Sequence, residues 1–209
     1  MKGINKNSGE LEFTDVKLYV EPYPHVTVGN VFDPRLADMV LNWLKVTHLW
    51  KPQNASTHKS SAFNINHSII PDNLACLFSG KSLLNLLTKL EELFNDSFED
   101  KFIITAFKHV EGQGTAIHTD FEVKFPLDFT HRFIVYFNDD WIENDGGILG
   151  LFQSGKVTDL VKTINPIHNT GVGLIFGPSS YHAVSAVTNK VRYSLVFSLL
   201  SKSGKYKGV

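Results

Sequence analysis

The sequence predicts a mainly β fold: a double-stranded β-helix, or jelly roll, with N-terminal helices packed on one sheet. Three observations carry this. Short β-rich runs separated by turn residues fill the chain after Lys101. Two helix-period apolar stripes lie before them. Sixteen of the 209 residues are Phe, which suits a β-rich core.

In chain order, Tyr23 to Val31 reads as an entry strand. Asp33-Pro34 then opens a helix, with Asp as the cap and Pro at the first helical position. Leu36, Met39, Val40, Trp43 and Leu44 form its apolar face. The segment Asn54 to Ile69 is polar, rich in Ser, Asn and His, and is expected to be a wall of any site, with His58 solvated or capping. Pro71 to Phe78 reads as a short helix ending near Gly80, in which Cys76 is buried as a small hydrophobe. Ser82 to Phe94 reads as a longer helix, with Leu83, Leu86, Leu87, Leu90 and Phe94 on one stripe. The β-rich runs follow at 102–110, 132–137, 147–152, 172–176, 183–187 and 191–200. No repeat, linker or low-complexity block divides residues 1–209, so a single domain is expected, with 1–15 and 201–209 as frayed tails.

Composition narrows the function classes. The chain is 43% apolar and 20% charged with a formal net charge of −1, so nothing favours nucleic acid or an acidic membrane surface as a partner. The start of the chain lacks the apolar stretch of a signal peptide, and no apolar run reaches the ~20 residues needed to span a bilayer. With a single cysteine no internal disulfide can form, and a reducing cytoplasm is the expected compartment.

The chemistry concentrates in Gly112-Gln113-Gly114-Thr115-Ala116-Ile117-His118-Thr119-Asp120. Residues two apart on an extended strand face one side, so His118 and Asp120 can hold one metal. His182, where a loop enters a β-rich run, is the best third ligand. Two histidines and a carboxylate on one face of an octahedron leave three open positions, the arrangement of non-haem iron(II) oxygenases. Ten residues on, Val191, Tyr193 and Leu195 alternate with Arg192, Ser194 and Val196, so Arg192 and Ser194 share a face. An arginine aimed into a barrel is costly without an anion. A dicarboxylate satisfies it through a bidentate contact, with a hydroxyl from Ser194. Singly each element is weak: a lone His-x-Asp, a histidine before a strand and an edge arginine are usually structural. Their order and spacing within one β-rich half give them force.

These motifs resemble the iron(II)/2-oxoglutarate-dependent oxygenase superfamily, in particular its prolyl-4-hydroxylase-like branch. The resemblance extends to Arg132-Phe133-Ile134-Val135-Tyr136-Phe137-Asn138, Trp141 and Asp145-Gly146-Gly147, and to Pro22–Val28 with Val31–Pro34, so it spans roughly residues 20 to 200. It implies that His118, Asp120 and His182 form an iron(II) catalytic centre. It also implies that Arg192 and Ser194 bind 2-oxoglutarate, and that dioxygen is the co-substrate. Branch members often carry Tyr where this chain has Thr115, whose hydroxyl is then the group that reaches the cosubstrate. His109 and Lys108 are candidates for its proximal carboxylate. Family halogenases place Gly or Ala where Asp120 stands, so hydroxylation of an unactivated C–H is expected. The implied substrate is a small polar molecule such as a free or carrier-bound amino acid; the alternative is a peptide or protein side chain. Phe121 to His131, with Glu122, Lys124 and Asp128, is expected to form a lid at the barrel mouth. The rival class is a non-catalytic jelly-roll binding module, with the triad structural or holding zinc. It leaves the pairing of Arg192 and Ser194 unexplained.

Overall fold

A computed structural model describes residues 11–54, 58–121 and 129–204. The elements run β1 (Lys17–Tyr19), β2 (His25–Val28), α1 (Pro34–Val46), β3 (Lys51–Asn54), β4 (Lys59–Asn64), α2 (Gly80–Phe94), β5 (Ile103–His109) and β6 (Thr115–His118). After these come β7 (His131–Tyr136), β8 (Leu149–Phe152), β9 (Leu160–Ile164), β10 (Gly171–Ile175), β11 (Tyr181–Val184) and β12 (Arg192–Leu199). They form a large sheet, β1-β2-β10-β7-β12-β5-β4-β3, and a small one, β6-β11-β8-β9, with antiparallel pairing throughout the named strands. This is the expected jelly roll, with both helices against the large sheet.

The helices form where the local signals ask for them. Asp33 Oδ1 accepts from Arg35 N at 3.0 Å and caps α1. Ser79 caps α2 through Ser82 N at 3.2 Å. Such caps are worth about 1 kcal/mol each. Val40, Leu41, Trp43 and Leu44 of α1 and Leu86, Leu87 and Leu90 of α2 are buried against one face of the large sheet, where Phe133, Val135, Leu195 and Phe197 meet them. The sheet's other face looks at the small sheet across Tyr136, Leu149, Leu151, Leu174 and Phe176. The two cores thus sit on opposite sides of one sheet, and the functional candidates lie on the inner side.

Several expectations are corrected. Only a 3-10 turn, Asp72–Leu74, forms where a short helix was expected. Leu74, Leu77 and Phe78 turn inward while Cys76 is exposed, because a sequence of tight turns does not hold a helical stripe. The polar run after Trp50 contains the hairpin β3-β4, whose strands lack an apolar alternation because β3 is a solvent-facing edge. Pro52 and Lys51 on that edge discourage further pairing. The start of the chain is not frayed at 11–13: Leu11 bridges Phe32, and Phe13 stacks on Phe133 at 5.6 Å. At the other end Ser201 is buried and bridges Phe98. The expected lid falls mostly on residues 122–128, which lie outside the described residues. His131 is not at the mouth; it is buried, edge-on to Phe94 and Phe98. No helix among the described residues is long and apolar enough to cross a membrane.

Phe133 is fully buried between Phe13 and Phe197. Phe133→Ala should therefore lower stability by about 3–5 kcal/mol, read as a fall in the urea midpoint by circular dichroism. A change within the noise would mean that this layer is not packed as described.

Candidate active site

His118 ends β6 and His182 lies on β11, and the two are direct cross-strand partners. Between this pair and the Val184–Thr115 pair the register slips by one residue, a bulge of the kind that re-aims a side chain. The imidazole centroids are 4.4 Å apart. Asp120, two residues beyond His118, brings Oδ1 to 3.6 Å from His118 Nε2 and Oδ2 to 3.4 Å from His182 Nε2. One ligand atom from each residue lies within 4.8 Å of the others, close enough for all three to hold one metal ion.

The ring orientations are fixed from behind. His118 Nδ1 donates to Ala116 O at 2.8 Å, and His182 Nδ1 to Ser180 O at 3.0 Å. Each carbonyl can only accept, so each Nδ1 carries the proton and each Nε2 lone pair faces the cavity. Burial, and then the proximity of His182, lowers the His118 pKa and keeps that ring neutral. Burial opposes ionisation of Asp120, but the His182 side chain and the Arg132 charge outweigh it and hold the carboxyl well below its usual range. Buried Oδ2 lies 2.8 Å from Arg132 Nη1 but makes no aligned hydrogen bond. Three acceptors therefore converge with no proton between them, a donor set that fits a divalent cation.

The opposite end of the same cavity is cationic. Arg192 begins β12, is buried, and has no carboxylate partner among the described residues. Neither its Nε nor the hydroxyl of fully buried Tyr136 makes a well-aligned hydrogen bond, but the two side chains interact, with the Tyr136 ring 5.0 Å from the guanidinium. Nη1 lies 3.4 Å from His109 Nδ1. Burial, and then Arg192, pushes the His109 pKa down to about 3, so His109 is a neutral acceptor there. Ser194 lies on the same face of β12, also buried. Arg192 reaches this position past Gly147, where a Cβ would stand 2.7 Å from its Cδ and where φ is +69°. Glycine is required on both counts. Trp141 Nε1 donates to the Gly146 carbonyl at 3.0 Å and steadies that turn.

All the candidates His118, Asp120, His182, Arg192, Ser194 and Thr115 line one cavity of about 250 Å³. Thr115 Oγ1 accepts from Val184 N at 2.7 Å, so this hydroxyl first stitches β6 to β11. Of the two proximal-carboxylate candidates only His109 faces the cavity. Lys108 is on the other face, 5.1 Å over the Trp50 ring. His58 and Ser60 of the β4 region line the cavity too, so His58 is not simply solvated. Sequence reasoning missed the roles of Tyr136 and Arg132, although both stand in a quoted motif. Alternation along β7 puts Arg132, Ile134 and Tyr136 on the inner face, the signal that would have found them.

Residues 104–199 match the family model of the 2OG-Fe(II) oxygenase superfamily. No curated protein matches the chain in sequence. A prolyl-4-hydroxylase from Pseudomonas putida superposes with a TM-score of 0.67 at 16% identity, covering 84% of this chain and 91% of that one. A prolyl hydroxylase from Trichoplax adhaerens, solved with a hypoxia-inducible-factor peptide fragment, gives 0.62 at 14% identity over 86% and 84%. The viral collagen prolyl hydroxylase of Paramecium bursaria Chlorella virus-1 gives 0.57 at 13% over 84% and 94%. At these identities the likeness establishes a shared fold. The matched family uses iron(II), 2-oxoglutarate and dioxygen, and His118, Asp120 and His182 form a candidate metal site within the matched residues. Over residues 104–199 the chain is similar to the 2OG-Fe(II) oxygenase superfamily, and as a whole it has the fold of the prolyl-4-hydroxylases.

Proposed function

We propose that this oxygenase hydroxylates an unactivated C–H of an amino-acid group, with His118, Asp120 and His182 as the iron ligands. The observation that carries the reading is that a buried arginine with no carboxylate partner among the described residues and three converging acceptors share one small cavity. Arg192 takes the distal carboxylate of 2-oxoglutarate, assisted by the hydroxyls of Ser194 and Tyr136. His109 orients the guanidinium by accepting from it. Thr115 accepts from Val184 N, which leaves its own proton to offer the cosubstrate. Iron loaded with 2-oxoglutarate and dioxygen supplies the oxidation, converting the oxoacid to succinate and carbon dioxide as one oxygen atom enters the substrate C–H. The protein's part is to orient and to exclude water.

The cavity bears on substrate size. At about 250 Å³ it falls below the usual ~300–1,000 Å³ of small-molecule pockets, and it must also hold the cosubstrate. A second hollow of about 600 Å³ adjoins it and shares His58 and Phe107 as walls. A bridge between His58 and Thr115 pins β4 to β6, and the hollow extends beyond it over Ala62, Asn64 and Thr105. Its polar lining includes Lys51, Gln53, Asn64 and Asn66, with no carboxylate among the described residues. This supports a small polar group carried on a longer chain, either a carrier-bound amino acid or a peptide side chain, over a free amino acid.

Anaerobic titration of iron(II) and 2-oxoglutarate should produce the weak visible charge-transfer band of the chelate, and His182→Ala should lose it. A wild type with no band would return the triad to a structural role. Arg192→Ala should weaken 2-oxoglutarate binding by about 2–5 kcal/mol in the same titration, the cost of stranding a buried charge partner; an unaltered half-saturation would assign the carboxylate to another cation. Ala62→Leu, which fills the floor of the hollow, should reduce kcat/KM for peptide or carrier-borne substrates while the chelate still forms. Undiminished turnover would place the substrate's entry elsewhere.

A further inference from the structure

Arg132 lies on the inner face of β7 and places Nη1 2.8 Å from Asp120 Oδ2. Its guanidinium stands 5.5 Å from the centre of the Phe176 ring. Phe176 in turn stacks on His182, with centroids 6.3 Å apart and planes within 2°. One continuous unit from the large sheet therefore braces two members of the triad. Its Nε has no partner, so the guanidinium is not committed to another carboxylate among the described residues.

A carboxylate can bind a metal through one oxygen or through both. Through both, with two imidazoles, it leaves two of six octahedral positions. Through one it leaves three, the number that a chelating oxoacid and dioxygen together require. The Arg132 charge sits on Oδ2 and leaves Oδ1, on the His118 side, as the freer donor. We propose that Arg132, braced on Phe176, is a positioning residue that keeps Asp120 a one-oxygen ligand and so preserves the third open coordination position. The inference rests on the metal role proposed for the triad.

The test is anaerobic titration of wild type, Arg132→Met, Arg132→Lys and Phe176→Leu, following iron(II) binding and the chelate band separately. Arg132→Met should still bind iron but need about 10–100-fold more 2-oxoglutarate for half the band, with the band maximum displaced. Arg132→Lys, which keeps the charge without the planar fork, should fall between it and wild type. Phe176→Leu should move in the same direction by less, and it decides the matter if Arg132→Met does not fold. A wild-type band and half-saturation in Arg132→Met, or in Phe176→Leu in that second case, would overturn the proposal. So would loss of iron binding itself in Arg132→Met, since Arg132 would then be needed merely to hold the site together. A wild type that forms no band overturns the metal assignment, and this inference with it.

Discussion

Strand β12 is buried along its whole length, and its two faces make opposite demands. Tyr193, Leu195, Phe197 and Leu199 face the helices and join their apolar core. Arg192 and Ser194 face inward, where a charge is tolerable only with an anion beside it. The strand sits between β5 and β7, which supply His109 and Tyr136 to the guanidinium. The Gly146-Gly147 turn gives its methylenes room to pass. Much of the architecture can be read as what is needed to keep one arginine buried, oriented and incompletely satisfied until a ligand arrives.

The end that carries His118, Asp120 and His182 is built on a different principle. The small sheet is made of short strands, and its register slip sets His118 opposite His182. Backbone carbonyls two residues back fix both imidazoles, so ring direction depends on local strand geometry and not on a distant partner. A metal held by the proposed triad would tie β6 to β11.

Arg132 and Phe176 connect the two halves. Both belong to the large-sheet side of the cavity, and both act on residues of the small-sheet side. The geometry of the triad is thereby tied to the packing between the sheets. The hollow beside β4 adjoins the cavity that holds the triad and shares His58 and Phe107 with it as walls.

By itself the sequence determined the parts that depend on local periodicity and local capping. Asp33 capping a helix, the spans of β5, β7, β8, β10 and β12, and the shared face of Arg192 and Ser194 all follow from residue spacing and backbone geometry. The order His-x-Asp, His, Arg-x-Ser pointed to five of the six site candidates and the family resemblance to the sixth, Thr115; all six line one cavity. Tertiary structure decided what depends on long-range closure. Polar β3 and β4 become strands only because β5 offers an edge to pair with. Cys76 is exposed because its segment turns instead of coiling into a helix, and His131 is buried because β7 delivers it to Phe94 and Phe98. The partners of Arg192, the bracing of Asp120 by Arg132 and the hollow beside β4 arise between strands far apart in the chain. A one-dimensional pattern fixes which way a side chain points along its own strand; only closure of the barrel fixes what it points at.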